Sequence, residues 1–152
     1  MVSASKTKSV KIITVDGPSG SGKGTISQML AARLNYHYLD SGALYRLLSI
    51  AADNHSVPLD DRDSLAVLAN NMDVSFKMNA DGSPSQALLE GENVTDRIRT
   101  EKVGADASVI AAYPEVREAL LERQRAFARS PGLVADGRDM GTVVFPGASH
   151  KI

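Results

Sequence analysis

Apolar positions along the 152-residue chain change their spacing several times, and each change marks an element. Lys11-Ile12-Ile13-Thr14-Val15-Asp16 is a β-branched run closed by Gly17-Pro18, and it predicts a largely buried strand. From Thr25 onward Ile26, Met29, Leu30 and Leu34 recur at helical spacing, which predicts a helix packing those side chains on a sheet. Residues 36–40 read as a second short strand, and Leu44, Leu47, Leu48 and Ala51 as a helix with one apolar face. A third helix follows, with Asp60 or Asp61 as its cap and Leu65, Leu68, Ala69 and Met72 as its buried stripe.

After Met72 the period shortens. Residues 74–78 and 86–89 predict short strands separated by the turn residues 79–84, and Glu90-Gly91-Glu92-Asn93 predicts another turn. Helical spacing returns over 101–112 and 114–129, with Pro114 in a first turn and Val116, Leu120 and Phe127 facing inward. Leu133-Val134-Ala135 is a further apolar strand ending at Asp136, and 148–152 reads as the start of one more. The expected organisation is a polar tail over 1–9, a core over 10–72, an inserted lobe over 73–99 and a return to the core over 100–152. A chain that ends on Lys151-Ile152 as a strand begins is expected to be a truncated piece.

Composition narrows the classes. A net charge of −1 lacks the broad basic excess of a nucleic-acid-binding surface. No apolar run reaches the ~18 residues of a membrane span, and the first nine residues lack a signal peptide's apolar stretch, so a cytoplasmic protein is expected. There is no cysteine, which removes disulfides and thiolate metal sites. His37, His55 and His150 are scattered without ligand-like spacing.

The candidate chemistry begins where the first strand ends. Gly17-Pro18-Ser19-Gly20-Ser21-Gly22-Lys23-Gly24-Thr25 combines closely spaced glycines, a lysine and the start of a helix. Glycines let backbone N–H groups approach an anion, the helix N-terminus adds its dipole, and Lys23 can reach the outer phosphates of a nucleoside triphosphate. A buried strand before the loop and an amphipathic helix after it are the context this motif requires. Gly24 stands where the common motif has its hydroxyl residue, and Thr25 comes one position later.

Two further clusters follow strand ends, where ligands gather in open α/β sheets. Asp40-Ser41-Gly42-Ala43-Leu44-Tyr45-Arg46 admits a plain alternative, in which Asp40 or Ser41 caps the helix and Arg46 is solvated. Asp136-Gly137-Arg138-Asp139-Met140-Gly141-Thr142 places charges beside glycines, a combination that packing rarely needs. Asp136 could orient a Mg2+ ion through water or could be a structural turn carboxylate.

The segments GPSGSGKGT, DSGALYR, LLEGENVTDRIRT, ALLERQRAF and DGRDMGTVVFP, in this order, resemble the bacterial cytidylate kinases from Val10 to the end of the chain. The Gly-Lys-Gly-Thr ending resembles nucleoside monophosphate kinases in general. That resemblance implies an α/β P-loop NTPase core, a parallel sheet with helices on both faces, a small inserted antiparallel monophosphate-binding lobe, and a mobile arginine-bearing lid that would follow Ile152. It implies transfer of the γ-phosphoryl group of ATP, with Mg2+, to CMP or dCMP, by a monomer that needs neither nucleic acid nor membrane. Gly17 to Thr25 would bind the ATP phosphates, with Lys23, Arg138 and Asp136 as the catalytic set and Thr25 and Asp136 near the metal. Ser41, Arg46 and Arg138 would hold the acceptor phosphate, and Ser108, Arg117 and Asp139 would read the cytosine edge. Without the resemblance, Ser108 and Arg117 read as a small helix residue and a solvated arginine. A related kinase for UMP, or a nucleotide-binding piece without turnover, remain the alternatives.

Overall fold

The computed structural model describes residues 10–18, 22–78 and 86–152. The expected N-terminal tail, the loop residues Ser19, Gly20 and Ser21, and the expected turn at 79–84 lie outside the described residues. In chain order the elements are β1 (Lys11–Asp16), α1 (Lys23–Leu34), β2 (His37–Asp40), α2 (Ser41–Asn54), α3 (Arg62–Asn71), β3 (Val74–Lys77), β4 (Gln86–Leu89), β5 (Glu92–Asn93), α4 (Glu101–Ile110), α5 (Pro114–Arg125), β6 (Gly132–Gly137) and β7 (His150–Lys151). A 3-10 turn at Arg97–Arg99 precedes α4, and a π-helical turn at Met140–Val144 follows β6. The chain divides into two compact units. The first holds 10–41, Met78 and 124–152 of the described residues, and the second 42–77 and 86–123.

In the first unit four strands form a parallel sheet in the order β2-β6-β1-β7. Parallel strands flanked on both sides are covered by their neighbours, and every residue of β6 is buried, which accounts for its apolar run. The register pairs Asp16 with Gly137 and Asp40 with Asp136, so the carboxyl ends of β1, β2 and β6 finish level. Three chain segments therefore leave the sheet along one edge, the edge at which ligands collect in such sheets.

Helix α1 corrects one expectation. Ile26, Met29 and Leu34 are 54%, 44% and 42% exposed, and the residues α1 buries are Ser27 and Ala31. The reason is distance. Few residues separate Gly17 from Gly22, so α1 starts near the end of β1, and small side chains let a helix held that close lie on the sheet, where α1 packs chiefly against β6. Ser27 satisfies its hydroxyl by donating to the carbonyl of Lys23 at 2.6 Å. Asn35 then ends α1 in the left-handed region, its N–H bonding back to the carbonyls of Ala31 and Ala32.

Thr14, in the middle of β1, is fully buried, and its hydroxyl has no hydrogen-bond partner among the described residues. An unpaired buried hydroxyl costs stability, so Thr14→Val, which keeps the shape, is expected to raise the unfolding free energy by about 1 kcal/mol. Urea denaturation checks this; an unchanged or lower midpoint would show that the hydroxyl is satisfied.

In the second unit α2 is buried on more than the expected face: Ala43, Ser49, Ile50 and Ala52 join the leucine stripe. Ala43, Ser49 and Ala52 are small and let neighbouring chain approach, while Ile50 adds to the buried apolar surface. The Asp61 carboxylate caps α3 by accepting from the Ser64 N–H, and Leu65 and Ala69 are its buried residues. Strands β3, β4 and β5 form a small antiparallel sheet. Glu90 and Gly91, both at positive φ, make the two-residue hairpin between β4 and β5, so Glu92 and Asn93 belong to a strand where the sequence suggested a longer turn. The Thr100 hydroxyl caps α4 by accepting from the Val103 N–H.

Helix α5 stops at Arg125, four residues short of the expected end. Its backbone tightens into bonds from Phe127 to Gln124 and from Ala128 to Arg125, and the Arg125 guanidinium donates to the carbonyls of Val143 and Val144. A parallel sheet carrying a helix, with a separate small antiparallel sheet, is the α/β architecture expected from the sequence. Among the described residues, no helix is long and apolar enough to cross a membrane.

Candidate functional site

The site in the first unit is assembled at the carboxyl ends of β1 and β6. Gly17 leaves β1 with its N–H bonded to the carbonyl of Gly137 at 3.2 Å. Gly22, the N-cap of α1, has φ 87° and ψ 0°, a left-handed conformation that a side chain at this position would resist. The first bond of α1 runs from Ile26 N–H to the Gly22 carbonyl, so the N–H groups of Lys23, Gly24 and Thr25 have no partner within the helix. An anion at this end meets both those donors and the positive end of the helix dipole.

Lys23 opens α1 and turns its ammonium onto Asp136 at the end of β6, with Nζ 3.2 Å from Oδ1. The other carboxylate oxygen, Oδ2, accepts a hydrogen bond of 2.6 Å from the hydroxyl of Tyr38 on β2. Asp136 is 1% exposed and Tyr38 3%, so water contributes little to either group. Burial first, and then the Asp40 and Asp136 carboxylates, push the Tyr38 phenol well above its ordinary pKa, which keeps it a proton donor. Gly24 passes over the same carboxylate, although a Cβ there would lie 4.0 Å from Oδ2, so the contact alone does not demand glycine.

At Gly137 glycine is demanded by close approach. A Cβ would fall 2.7 Å from the Ser41 Cβ and 3.0 Å from the Met140 sulfur. Ser41 donates its hydroxyl to Gln124 Oε1 at 2.9 Å. Beyond Gly137 the chain presents Arg138 and Asp139 as exposed side chains, with Asp139 at φ 59°. That bend is held by a residue the motif reading missed. The Asp16 carboxylate accepts from the N–H groups of Met140 at 2.7 Å and Gly141 at 3.0 Å, one per oxygen. Tyr38 was missed in the same way: in sequence Asp16 is one polar residue at the end of a strand and Tyr38 one aromatic in a short one.

Of the candidate residues, the structure brings Lys23 to Asp136 and sets Ser41 against Gly137, with Gly17, Gly22, Gly24, Thr25, Arg138 and Asp139 in the same unit. Pro18 is exposed after Gly17, and Thr25 is exposed in the first turn of α1. Arg46, Ser108 and Arg117 belong to the second unit, where all three meet α4. Arg46 donates to the Ile98 carbonyl at 2.7 Å and lays its guanidinium on Gly104, leaving 3.4 Å to a Cβ there. Ser108 donates to the Gly104 carbonyl. Arg117 donates from Nη1 to the carbonyls of Ala111 and Ala112, closing the C-terminal end of α4. Arg117 also faces Tyr45, whose phenol is pushed up by burial and drawn partly back by the arginine's charge. Among the described residues, no group of three or more His, Cys, Asp or Glu side chains could hold a metal ion.

A family model described as cytidylate kinase matches residues 13–152. The chain belongs to the cytidylate kinase family. A cytidylate kinase of Azotobacter vinelandii is 62% identical over 141 residues, which cover 93% of this chain and 62% of that protein. One from Colwellia psychrerythraea is 57% identical over 145 residues, 95% of this chain and 64% of its own length. One from Pseudomonas aeruginosa is 62% identical over 144 residues, 94% and 62%. The chain thus spans a little over three fifths of the cytidylate kinases it matches.

Proposed function

We propose that this chain carries the nucleotide sites of a kinase that moves the γ-phosphoryl group of ATP to CMP or dCMP, giving ADP and CDP or dCDP. The observation that carries the reading is the Lys23–Asp136 pair at the N-terminus of α1, because it puts a cation where a triphosphate's charge would fall. Phosphoryl transfer asks the protein mainly for positioning and electrostatic stabilisation. Among the described residues Lys23 Nζ meets Asp136 Oδ1, and it can exchange that oxygen for phosphate oxygens, since an ammonium has three donors. Arg138, exposed on the bend beyond β6, meets the moving group, and Ser41 and Arg46 hold the acceptor phosphate. Arg46 donates from Nη1 to the Ile98 carbonyl, and among the described residues it keeps further donors of its planar fork for that task.

A carboxylate and a hydroxyl suit Mg2+, which prefers hard oxygens and keeps several water and phosphate ligands. Asp136 and Thr25 would hold it, with water intervening at the buried carboxylate. When bound, the ion neutralises phosphate charge. Cytosine offers an amino donor beside a ring-nitrogen acceptor, and Asp139, Ser108 and Arg117 supply the complement. Arg117 uses only Nη1 in its backbone bonds, so the rest of its fork is available to a base. Uracil reverses the pattern and would leave polar groups unpaired.

Titrating the protein with each monophosphate and following ADP release by a coupled assay tests the reading. CMP and dCMP are expected to be preferred over UMP and AMP by at least about tenfold, the equivalent of one mispaired polar contact. AMP or a thymidine nucleotide as the best acceptor would overturn it.

A further inference from the structure

Tyr38 has no part in the functional reading so far, yet it holds the other half of the carboxylate on which Lys23 rests. We propose that Tyr38 is a positioning residue for Asp136, retaining the carboxylate in place when Lys23 leaves it for the phosphates of a bound nucleotide. This rests on the reading of Lys23 and Asp136 as parts of a triphosphate site.

The local geometry follows from strand pairing. Tyr38 lies opposite Val134 in the β2–β6 register, and Asp136 is two residues further on, so both side chains stand on the same face of the sheet and meet diagonally. Both are almost wholly buried. A phosphate that captures Lys23 takes away the direct ion pair of Asp136, and a Mg2+ ion separated from the buried carboxylate by water would compensate it less closely than the ammonium does. The Tyr38 hydroxyl, at 2.6 Å, is short enough to be a charge-assisted bond that survives this exchange. A hydroxyl is the suitable donor here. It adds no positive charge to compete with Lys23, whereas a second cation would hold Asp136 at the cost of making Lys23 redundant. The neighbouring Asp40 charge, facing the phenol from the same strand, disfavours the phenolate and so keeps Tyr38 a donor to Asp136, against the opposing effect of a hydrogen bond with Gln28 on α1.

Tyr38→Phe removes the hydroxyl and keeps the ring. Binding of a fluorescent ATP analogue with Mg2+ is expected to weaken by about tenfold, while in an Asp136→Asn background the same substitution should change affinity by less than about threefold, because a neutral amide needs no charge-assisted donor. Thermal unfolding of all four proteins, run alongside, reports whether the fold is kept. A purely structural tyrosine would lower the melting temperature and cost the same factor in both backgrounds, and that result, or an unchanged affinity in Tyr38→Phe, overturns the proposal. If Tyr38→Phe does not fold, Tyr38→Trp, whose indole N–H can still donate, serves as the second variant and should retain affinity better in the Asp136 background than in the Asn one. Failure of the parent protein to bind the analogue at all would instead refute the triphosphate reading, and the role of Tyr38 with it.

Discussion

Lys23→Met is expected to reduce phosphoryl transfer by at least about a hundredfold and also to destabilise the fold by about 2 kcal/mol. The first effect is the loss of a charge aimed at the transferring group, comparable with removing one preorganised donor from a transition-state site. The second comes from Asp136. Its side chain is 2% exposed and would keep Tyr38 as its remaining charge-assisted partner while losing its cation. Breaking one side of a buried pair commonly costs about 3–5 kcal/mol, and the retained tyrosine bond together with the partial exposure of Lys23 lowers the figure here. The double variant Lys23→Met with Asp136→Asn separates the two effects: it should recover most of the stability in urea and none of the turnover. Wild-type turnover in Lys23→Met would end the case for this lysine, and an unchanged urea midpoint would show that the pair contributes nothing to folding.

Asp16→Ala is expected to raise the KM for the acceptor nucleotide by about tenfold or more with a smaller change in kcat. Its carboxylate bonds two consecutive N–H groups immediately after Arg138 and Asp139, so its removal frees the bend that carries them. Stability should fall by only about 1–2 kcal/mol, because Asp16 is exposed and water can replace part of what is lost. Asp16→Asn, which retains a single acceptor oxygen, should fall between alanine and the parent. Steady-state kinetics with varied CMP decides the matter. A KM that stays put while melting temperature drops would make Asp16 a structural cap alone.

How much of this was legible in the sequence depends on the range of the interaction. β1 and β6 declare themselves through β-branched and apolar runs, and the loop and the two charged clusters declare themselves as breaks in those runs. The buried face of α1 does not. Ile26, Met29 and Leu34 have the same helical period whichever way they point, and the short stretch between Gly17 and Gly22 starts α1 close to the sheet, where the small residues Ser27 and Ala31 are the ones buried. Asp16 and Tyr38 are invisible for another reason. Their partners stand 124, 125 and 98 positions away, and each becomes meaningful only once β1 and β2 flank β6. The π-helical turn at Met140–Val144 is likewise anchored from a distance, by Asp16 accepting from its first two N–H groups.

Two adjacent residues at the end of β1 hold the far side of the site. The Gly17 N–H fastens Gly137, and the Asp16 carboxylate fastens Met140 and Gly141, while Gly17 itself begins the glycine-rich loop. The strand end works like a bracket with two arms. A core substitution that slides β1 along its axis carries the loop and the Arg138–Asp139 bend by the same amount, so their spacing is preserved to within the give of a few hydrogen bonds. Slack in the hydrophobic layer is thereby converted into a joint displacement, and the alignment of the charged groups is insulated from drift in the packing beneath them.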